Sequence, residues 1–308
     1  MGKVVALAGG VGAAKLLRGL VKVVPPKNLF IIGNVGDDVE LYGLHISPDL
    51  DIIMYTLAGI VDEDKGWGIA GDTFNCLEML GRLGFETWFK LGDKDLAFHI
   101  TRTKMLREGM TLSQATAKLC RMLGVEVNLI PMSDNPVRTK IQSGNRLLEF
   151  QEYFVKRGTM DTVTGVIYEG AEKAKPAPGV IQAIEEAGQV IICPSNPILS
   201  IAPILAIKAI KKALEKSKAP VVGISPIVGG KALKGPADKV MASMGFEPSA
   251  YGVAKFYGAL LKHFIIDETD EGQKNRIERL GIKVTVANIV MRSLEDSIRL
   301  AKIVMEVK

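Results

Sequence analysis

Short apolar runs alternate with amphipathic stretches along most of the chain. Continuous apolar runs such as 190–193 and 221–224 are typical of strands that a parallel sheet buries on both faces. Stretches with apolar residues at helical spacing separate them. The pattern predicts an α/β fold, namely a Rossmann-like, doubly wound and mostly parallel sheet. The predicted strands are 4–8, 28–32, 125–130, 190–193, 221–224 and 283–290.

Other segments are less regular. Leu50–Leu57 fits either a strand or the start of a buried helix, and the pattern does not separate these. A mostly helical insertion is predicted at about 67–122, and a long helix from Pro197 to about Lys216. Ser293 and Asp296 form a capping box that begins the last helix. We predict one domain over 1–308; whether the insertion closes as a lid stays open.

The first predicted strand ends in a glycine cluster, Gly9-Gly10-Val11-Gly12, which leads into an amphipathic helix. Glycines let a bound group approach the backbone, and the N–H groups of a helix's first turn favour phosphate. Lys15 stands where a dinucleotide fingerprint has its third glycine, and no Gly-Lys-Ser/Thr completes a P-loop. The cluster indicates phosphate binding, with a tight turn that binds nothing as the alternative.

Polar or glycine-rich loops follow three further strands, at 34–38, 194–197 and 225–230. Since ligands of open α/β sheets bind beyond the carboxyl ends of the strands, these loops predict a shared cleft. Several aspartates lie near the first loops. Like charges beside a phosphate site are unfavourable unless a cation or a hydroxyl-bearing substrate lies between them, and Mg²⁺ bound by one or two carboxylates together with phosphate oxygens would meet this need. These aspartates are Asp37, Asp38, Asp49, Asp51, Asp62, Asp64 and Asp72.

Composition narrows the function further. The net charge of +5 is scattered, and no basic block is interleaved with aromatic residues, which argues against nucleic acid as the main partner. Three separated cysteines favour neither disulfides nor a zinc site, and three isolated histidines are expected to be structural or surface residues. No apolar run reaches membrane-spanning length and the N-terminus does not resemble a signal peptide, so we expect no membrane partner and a cytoplasmic location.

The segment 87–96 combines Trp88 and Phe89 with Lys90 and a Gly92-Asp93 turn. Aromatic side chains beside a cation suit a flat heteroaromatic ligand with polar edges. A small helical core with a charged turn behind it explains the same residues equally well.

Taken together, these motifs resemble the 2-phospho-L-lactate transferase family of deazaflavin-coenzyme (F-420) biosynthesis. They occur in order over nearly the whole chain: Ala8–Gly12, Asn34–Asp38, Ser47–Asp51, Leu91–Asp95, Pro131–Asp134, Pro194–Pro197 and Ser225–Gly229. The resemblance implies a Mg²⁺-dependent, homodimeric enzyme. Such an enzyme moves a 2-phospholactyl or related group from a guanosine diphosphate ester to the ribityl 5′-hydroxyl of 7,8-didemethyl-8-hydroxy-5-deazariboflavin, and GMP leaves.

The resemblance also implies residue roles. Asp49 and Asp51 would be catalytic, and Asp49 with Asp62 would bind the metal. No histidine lies in these motifs, so any base would be an aspartate. The residues implied for the deazaflavin are Asn34, Asp37, Asp49, Lys90 and Asp93; those implied for the nucleotide and its phosphates are Gly9, Gly10, Gly12, Ser195, Asn196, Ser225, Gly229 and Gly230.

Two other functions are weighed against the transferase. A related family of regulators, the gluconeogenesis factors, binds uridine-diphosphate sugars without catalysis; it resembles this chain less, because Asp37-Asp38 is followed here by Val39-Glu40 and a Ser-Pro-Asp-Leu-Asp segment is present. An NAD(P)-dependent oxidoreductase is disfavoured by the missing third glycine and by an aspartate pair in place of one ribose-binding acid.

Overall fold

The central element is a seven-stranded sheet whose neighbouring strands all run parallel in the computed structural model, which describes residues 2–307. The strands are β1 (Lys3–Ala8), β2 (Leu29–Gly33), β3 (Val39–Leu41), β4 (Leu44–Ile46), β5 (Asn128–Pro131), β6 (Arg138–Ser143), β7 (Arg146–Glu149), β8 (Gly165–Glu169), β9 (Ala187–Ile192), β10 (Val221–Ile224), β11 (Ile227–Val228), β12 (Lys231–Ala232), β13 (His263–Ile266) and β14 (Lys283–Val286). The α-helices are α1 (Gly10–Val23), α2 (Pro48–Leu57), α3 (Asn75–Arg82), α4 (Asp93–Arg107), α5 (Leu112–Met122), α6 (Val180–Glu185), α7 (Ala202–Ala206), α8 (Lys208–Lys216), α9 (Ala237–Ser243), α10 (Ala250–Tyr257), α11 (Lys274–Glu278) and α12 (Leu294–Glu306).

The strand order is β14-β13-β10-β9-β1-β2-β5, and the chain changes direction across the sheet between β1 and β9. From β1 it proceeds to β2 and β5; from β9 it proceeds the other way. Because crossovers between parallel strands are right-handed, α1 and α8 are expected to lie on opposite faces of the sheet. The loops after β1 and β9 diverge at the carboxyl edge, which is the switch point where such sheets bind ligands. The predicted α/β class is confirmed.

Buried apolar strands form the core, as their uniform patterns predict. Val5 pairs with Phe30 on one side and with Val190 on the other, and β1 is covered on both faces. Helix α1 packs against α2 and α12. The contact with α12 is close, because a Cβ built at Gly19 would lie 2.1 Å from the carbonyl oxygen of Ser297.

Smaller elements flank the carboxyl edge. The hairpin β3–β4 and helices α3, α4 and α5 come between β2 and β5, so the predicted helical segment does contain helices. Strands β7, β6 and β8 form a separate antiparallel sheet. The predicted domain 1–308 includes Met1 and Lys308, which lie outside the described residues.

Two local expectations are resolved by the structure. Leu50–Leu57 lies in a helix, since Pro48 occupies its first position and Asp49 and Asp51 lie in its first turn. The long helix expected from Pro197 to Lys216 is wrong: a π-helical turn (Pro197–Ile201), α7 and α8 replace it. Ile207, with ψ of 102°, separates the last two helices. Among residues 2–307, no helix has the length and apolar character needed to cross a membrane.

Candidate active site

Asp49 lies at the centre of the candidate site and closes the N-terminus of α1. The Gly10 N–H donates to its Oδ1 at 2.8 Å. Gly9 makes this approach possible, since a Cβ there would lie 2.5 Å from Asp49 Oδ2. The glycine cluster therefore lets the carboxylate of Asp49, which comes from α2, reach the N-terminus of α1. This is the place where the sequence predicts phosphate binding.

Asn34, the first residue after β2, links the acidic residues. Its Nδ2 donates to Asp49 Oδ2 at 2.9 Å and to Asp37 Oδ1 at 3.1 Å, and its Oδ1 accepts from the Gly36 N–H at 2.8 Å. The side chains of Asn34, Asp37 and Asp49 are all buried. Three residues predicted from two separate motifs are thus brought together at the carboxyl ends of β1 and β2.

Asp38 adds a third buried carboxylate to this group. Its Oδ2 accepts from the Ser47 hydroxyl at 2.9 Å and lies 3.0 Å from His45 Nε2, whereas its Oδ1 is buried and lacks a hydrogen-bond partner. The hairpin β3–β4 turns at Tyr42 and Gly43, both with positive φ, and so returns His45 to Asp38.

We call Asn34, Asp37, Asp38 and Asp49 the acidic cluster. Burial, and then the neighbouring Asp49 carboxylate, raise the pKa of Asp37 well above its ordinary value. Burial also raises the pKa of Asp49 to about 6, although the bonds from Asn34 and Gly10 favour its ionised form. Carboxylates that are desolvated and face each other are stabilised by a cation.

The acidic cluster fits a hard divalent cation. The unpartnered Oδ1 of Asp38 and the carboxylate of Asp49 are oxygen donors of the kind that Mg²⁺ prefers. Within residues 2–307, however, no three acidic, histidine or cysteine side chains are close enough to hold an ion by themselves. Mg²⁺ usually binds one or two carboxylates together with substrate phosphates, and the cluster suits that mode.

The loop after β9 approaches the acidic cluster from the other side of the switch point. Ser195 Oγ accepts from the Gly9 N–H at 3.4 Å. Asn196 Oδ1 caps the following π-helical turn, and its buried Nδ2 lacks a partner. Gly12 is required sterically, because a Cβ there would lie 2.2 Å from the Pro194 carbonyl oxygen. The free amide of Asn196 suits an acceptor group on a ligand.

The remaining residues implied for the nucleotide have local partners. Ser225 Oγ donates to the Ile227 carbonyl at 2.7 Å and so shapes its own turn. The Gly229 N–H donates to Asp270 at 3.1 Å. Gly229 and Gly230 both have positive φ, with values of 58° and 79°. These residues form the loop after β10, and their place in a ligand site stays a prediction.

Asp51 faces away from Asp49 and into the protein interior. It lies two residues further along α2, and the guanidinium of the fully buried Arg102 binds both its carboxylate oxygens, with Nη1 at 3.1 Å from Oδ2. His99 Nδ1 lies 3.7 Å from the same oxygen. The sequence predicts that Asp51 is catalytic beside Asp49. In the structure its carboxylate instead binds Arg102 and joins α2 to α4.

Three further predicted residues lie outside the acidic cluster. Asp62 lies in a turn, where it binds the ammonium of Lys65 at 2.7 Å. Lys90 is exposed. Asp93 caps α3 by accepting from the N–H groups of Asn75 and Cys76, and the Thr73 hydroxyl and these bonds hold its pKa at about 2. The structure thus gives Asp93 a structural task, whereas the predicted metal pair of Asp49 and Asp62 stays a prediction.

Two features of the site were not predicted from the sequence: the contacts of His45 and Ser47 with Asp38, and the pairing of Asp51 with Arg102. A signal for His45 existed, because alternating residues around Tyr42-Gly43 indicate a hairpin that brings it back to Asp38. No local signal pointed to Arg102, which is 51 residues from Asp51 in the chain.

Known proteins with similar sequences identify the family. A family model described as "2-phospho-L-lactate transferase CofD" matches residues 4–296. The chain belongs to the 2-phospho-L-lactate transferase family. The relatives are transferases, and the recognition made from the motifs is confirmed. The family is that of coenzyme F-420 biosynthesis.

Relatives within this family carry two names. A Streptomyces avermitilis protein named phosphoenolpyruvate transferase is 44% identical over 97% of this chain and 96% of its own. A Methanosarcina mazei protein named 2-phospho-L-lactate transferase is 40% identical over 97% of this chain and 98% of its own. Among solved structures, a Bacillus halodurans protein of the upf0052 family has a TM-score of 0.63 and 16% identity, with 99% of each chain covered. At that identity it shows the fold alone.

Proposed function

We propose that the protein transfers a phospho-carboxylic acid group from a guanosine diphosphate ester to the ribityl 5′-hydroxyl of 7,8-didemethyl-8-hydroxy-5-deazariboflavin. The observation that carries the proposal is the acidic cluster, whose Asp49 accepts from the first turn of α1, in a chain of this family. A cluster that needs a cation, beside a helix N-terminus that favours anions, suits a hydroxyl attacking a diphosphate.

The reaction makes one P–O bond and breaks another. The ribityl oxygen attacks the phosphorus that carries the carboxylic acid, the P–O bond to the GMP phosphate breaks, and the hydroxyl proton must leave. Asp49 is the group we assign to accept it, since its carboxylate lies at the first turn of α1, where the diphosphate is expected to bind. Asn34 holds Asp49 in place at 2.9 Å.

Asp38 and Asp49 are the residues we assign to hold Mg²⁺, because both are buried and Asp38 Oδ1 has no other partner. When bound, the ion would neutralise charge on the diphosphate and on the departing GMP. His45 and Ser47 fix the other oxygen of Asp38 and so orient the free one.

The acceptor is assigned to the side of the acidic cluster and the nucleotide to the loop after β9. Asn34 and Asp37 offer polar groups to the ribityl hydroxyls. The unpartnered amide of Asn196 and the hydroxyl of Ser195 serve the guanosine half. Lys90, being exposed, is free to contact the deazaflavin ring.

The transferred acid is either 2-phospholactate or its enolpyruvyl counterpart. The name of the Methanosarcina mazei relative agrees with the first, and the name of the Streptomyces avermitilis relative agrees with the second. The test supplies each donor separately with the deazaflavin and Mg²⁺, and measures GMP and the phosphodiester product by chromatography. We expect product from at least one donor, and loss of product in Asp49→Asn. Asp64→Asn, at an exposed position, serves as the matched control and should retain activity.

A regulator that binds uridine-diphosphate sugars is the alternative on this fold. Tight binding of such a sugar, with no turnover of either donor and no binding of the deazaflavin, would refute the transferase proposal. Binding of GDP together with turnover would exclude the regulator.

We further propose that the protein acts as a homodimer. Large apolar side chains are exposed around the β7-β6-β8 sheet and the turn beside it, and an isolated monomer seldom exposes such a group. These residues are Leu147, Phe154, Val155, Met160 and Ile167. Light scattering should give a dimer mass, and a double variant Phe154→Glu, Met160→Glu should give a monomer. A monomeric wild-type chain would contradict this.

A further inference from the structure

Three basic residues lie near the start of α1. Lys15 and Arg18 lie on α1, and Lys234 comes from the loop after β12. The positive charges of Lys234 and Arg18 act on Lys15. The start of α1 therefore has a basic region close to it as well as the acidic cluster.

Lys15 joins α1 to the segment that follows β14. Its Nζ donates to the Met291 carbonyl at 3.1 Å, in the segment that follows β14. Burial lowers the pKa of Lys15, and the nearby Lys234 and Arg18 lower it further. A partly desolvated ammonium that uses one of its three donors is available to an anion.

Lys234 reaches the first turn of α1 from the opposite direction. Its Nζ donates to the Lys65 carbonyl at 3.2 Å. A Cβ built at Gly66 would lie 2.4 Å from that Nζ and 3.6 Å from the side chain of Val11. The ammonium of Lys234 thus lies close to the helix start whose N–H groups favour anions.

The charges of this basic region are not balanced by carboxylates. Glu63 is the acid that acts on Lys15, but it binds Arg18 at 2.6 Å and its side chain is 70% exposed. Among the ion pairs of residues 2–307, neither Lys15 nor Lys234 has a carboxylate within 4.0 Å. Two lysines that repel each other without a counter-charge indicate that a ligand supplies it.

We propose that Lys15 and Lys234 bind the diphosphate of the nucleotide donor. The proposal rests on the proposed function, and it divides the tasks between two groups of residues: the basic pair holds the anionic donor, and the acidic cluster holds the cation and the attacking hydroxyl. Lysine acts on phosphate as a point charge, so two lysines from different loops can hold successive phosphates. Lys15 also replaces the third glycine of the dinucleotide pattern, a departure from that pattern which this role explains.

The test measures the binding of GDP, GMP and inorganic pyrophosphate by calorimetry, in EDTA and at low salt. We expect Lys15→Met and Lys234→Met each to weaken GDP and pyrophosphate by about tenfold, as loss of one charge-assisted hydrogen bond implies. GMP, which has one phosphate, should lose less than GDP. Lys22→Met, exposed in the last turn of the same helix, is the matched control and should bind as the wild type does.

A second measurement does not depend on the variants. GDP should protect Lys15 and Lys234, but not Lys22, from reductive methylation read by mass spectrometry. Unchanged GDP affinity in folded Lys15→Met and Lys234→Met variants, or methylation that ignores GDP, would overturn the proposal.

Pyrophosphate separates this proposal from the proposed function. If the wild type binds pyrophosphate through both lysines but prefers a uridine-diphosphate sugar to GDP, the transferase proposal fails and the lysine pair stands as a diphosphate site. If GDP is bound and turned over while the variants keep full affinity, the transferase stands and the lysine pair is refuted.

Discussion

Replacing the buried Arg102 tests the role that the structure gives to Asp51. Arg102 has no exposed surface, and its guanidinium binds both oxygens of the Asp51 carboxylate. Arg102→Met leaves that carboxylate buried beside His99 without its main partner. Removing one member of a buried ion pair typically costs about 3–5 kcal/mol in the free energy of unfolding, because the remaining charge stays desolvated.

The experiment compares urea unfolding, followed by circular dichroism, in four proteins. We expect Arg102→Met to lose about 3–5 kcal/mol, and the double variant Asp51→Asn, Arg102→Met to regain much of it, since both charges are then absent. Arg107→Met is the control on the same helix; Arg107 is exposed and donates to the Gly43 carbonyl, so a loss of at most about 1 kcal/mol is expected.

Two results would refute the reasoning. A loss below about 1 kcal/mol in Arg102→Met would mean that the pair is not desolvated as the structure has it. A double variant no more stable than Arg102→Met would mean that the stranded Asp51 charge is not the source of the loss. Because α2 begins beside Asp49, we also expect Arg102→Met to lower turnover more than Arg107→Met does.

Three further predictions follow from the same contacts. Burial raises the pKa of Asp37 in the folded state, so its stability contribution is present at low pH and falls as the pH rises; Asp37→Asn in EDTA should therefore gain thermal stability over the wild type at pH 8 but not at pH 4, and a pH-independent gain would contradict this. Asp93→Ala should speed hydrogen exchange in α3 and α4, because it removes the cap of α3, while β1 stays protected. An unchanged exchange rate in α3, relative to the wild type, would count against this prediction. Cys76 alone should react with a thiol reagent in the folded protein, since burial raises the pKa of Cys120 to about 12 and that of Cys193 above its ordinary range; early labelling of either buried cysteine would refute this.

The α/β sheet was predictable because its signals are local. Runs such as 190–193 are apolar at every position, and only a strand covered on both faces uses such a run. The capping box of Ser293 and Asp296 was also predictable, since its hydrogen bonds join residues three positions apart. Where packing opposes local preference the prediction failed: the helix from Pro197 is interrupted, with Ile207 in an extended conformation.

The candidate site was predictable in part. The motif after β2 identified Asn34 and Asp37, and the Ser47–Asp51 motif at the start of α2 identified Asp49; the fold does bring these residues together. The direction in which each carboxylate points was not predictable. Asp49 and Asp51 are two residues apart in the sequence, yet one closes the glycine turn and the other pairs with Arg102.

The sequence by itself determined the fold class, the strands that the site loops follow along the chain, and the family to which the chain belongs. These depend on residue patterns of short range and on motifs in fixed order. The tertiary structure alone decided which acidic residues share the site, which acidic residues cap helices, and which basic residues lie near the start of α1. The physical reason is that burial and hydrogen bonding between distant segments, such as His45 with Asp38 or Lys234 with the loop at Gly66, set the charge and orientation of each group.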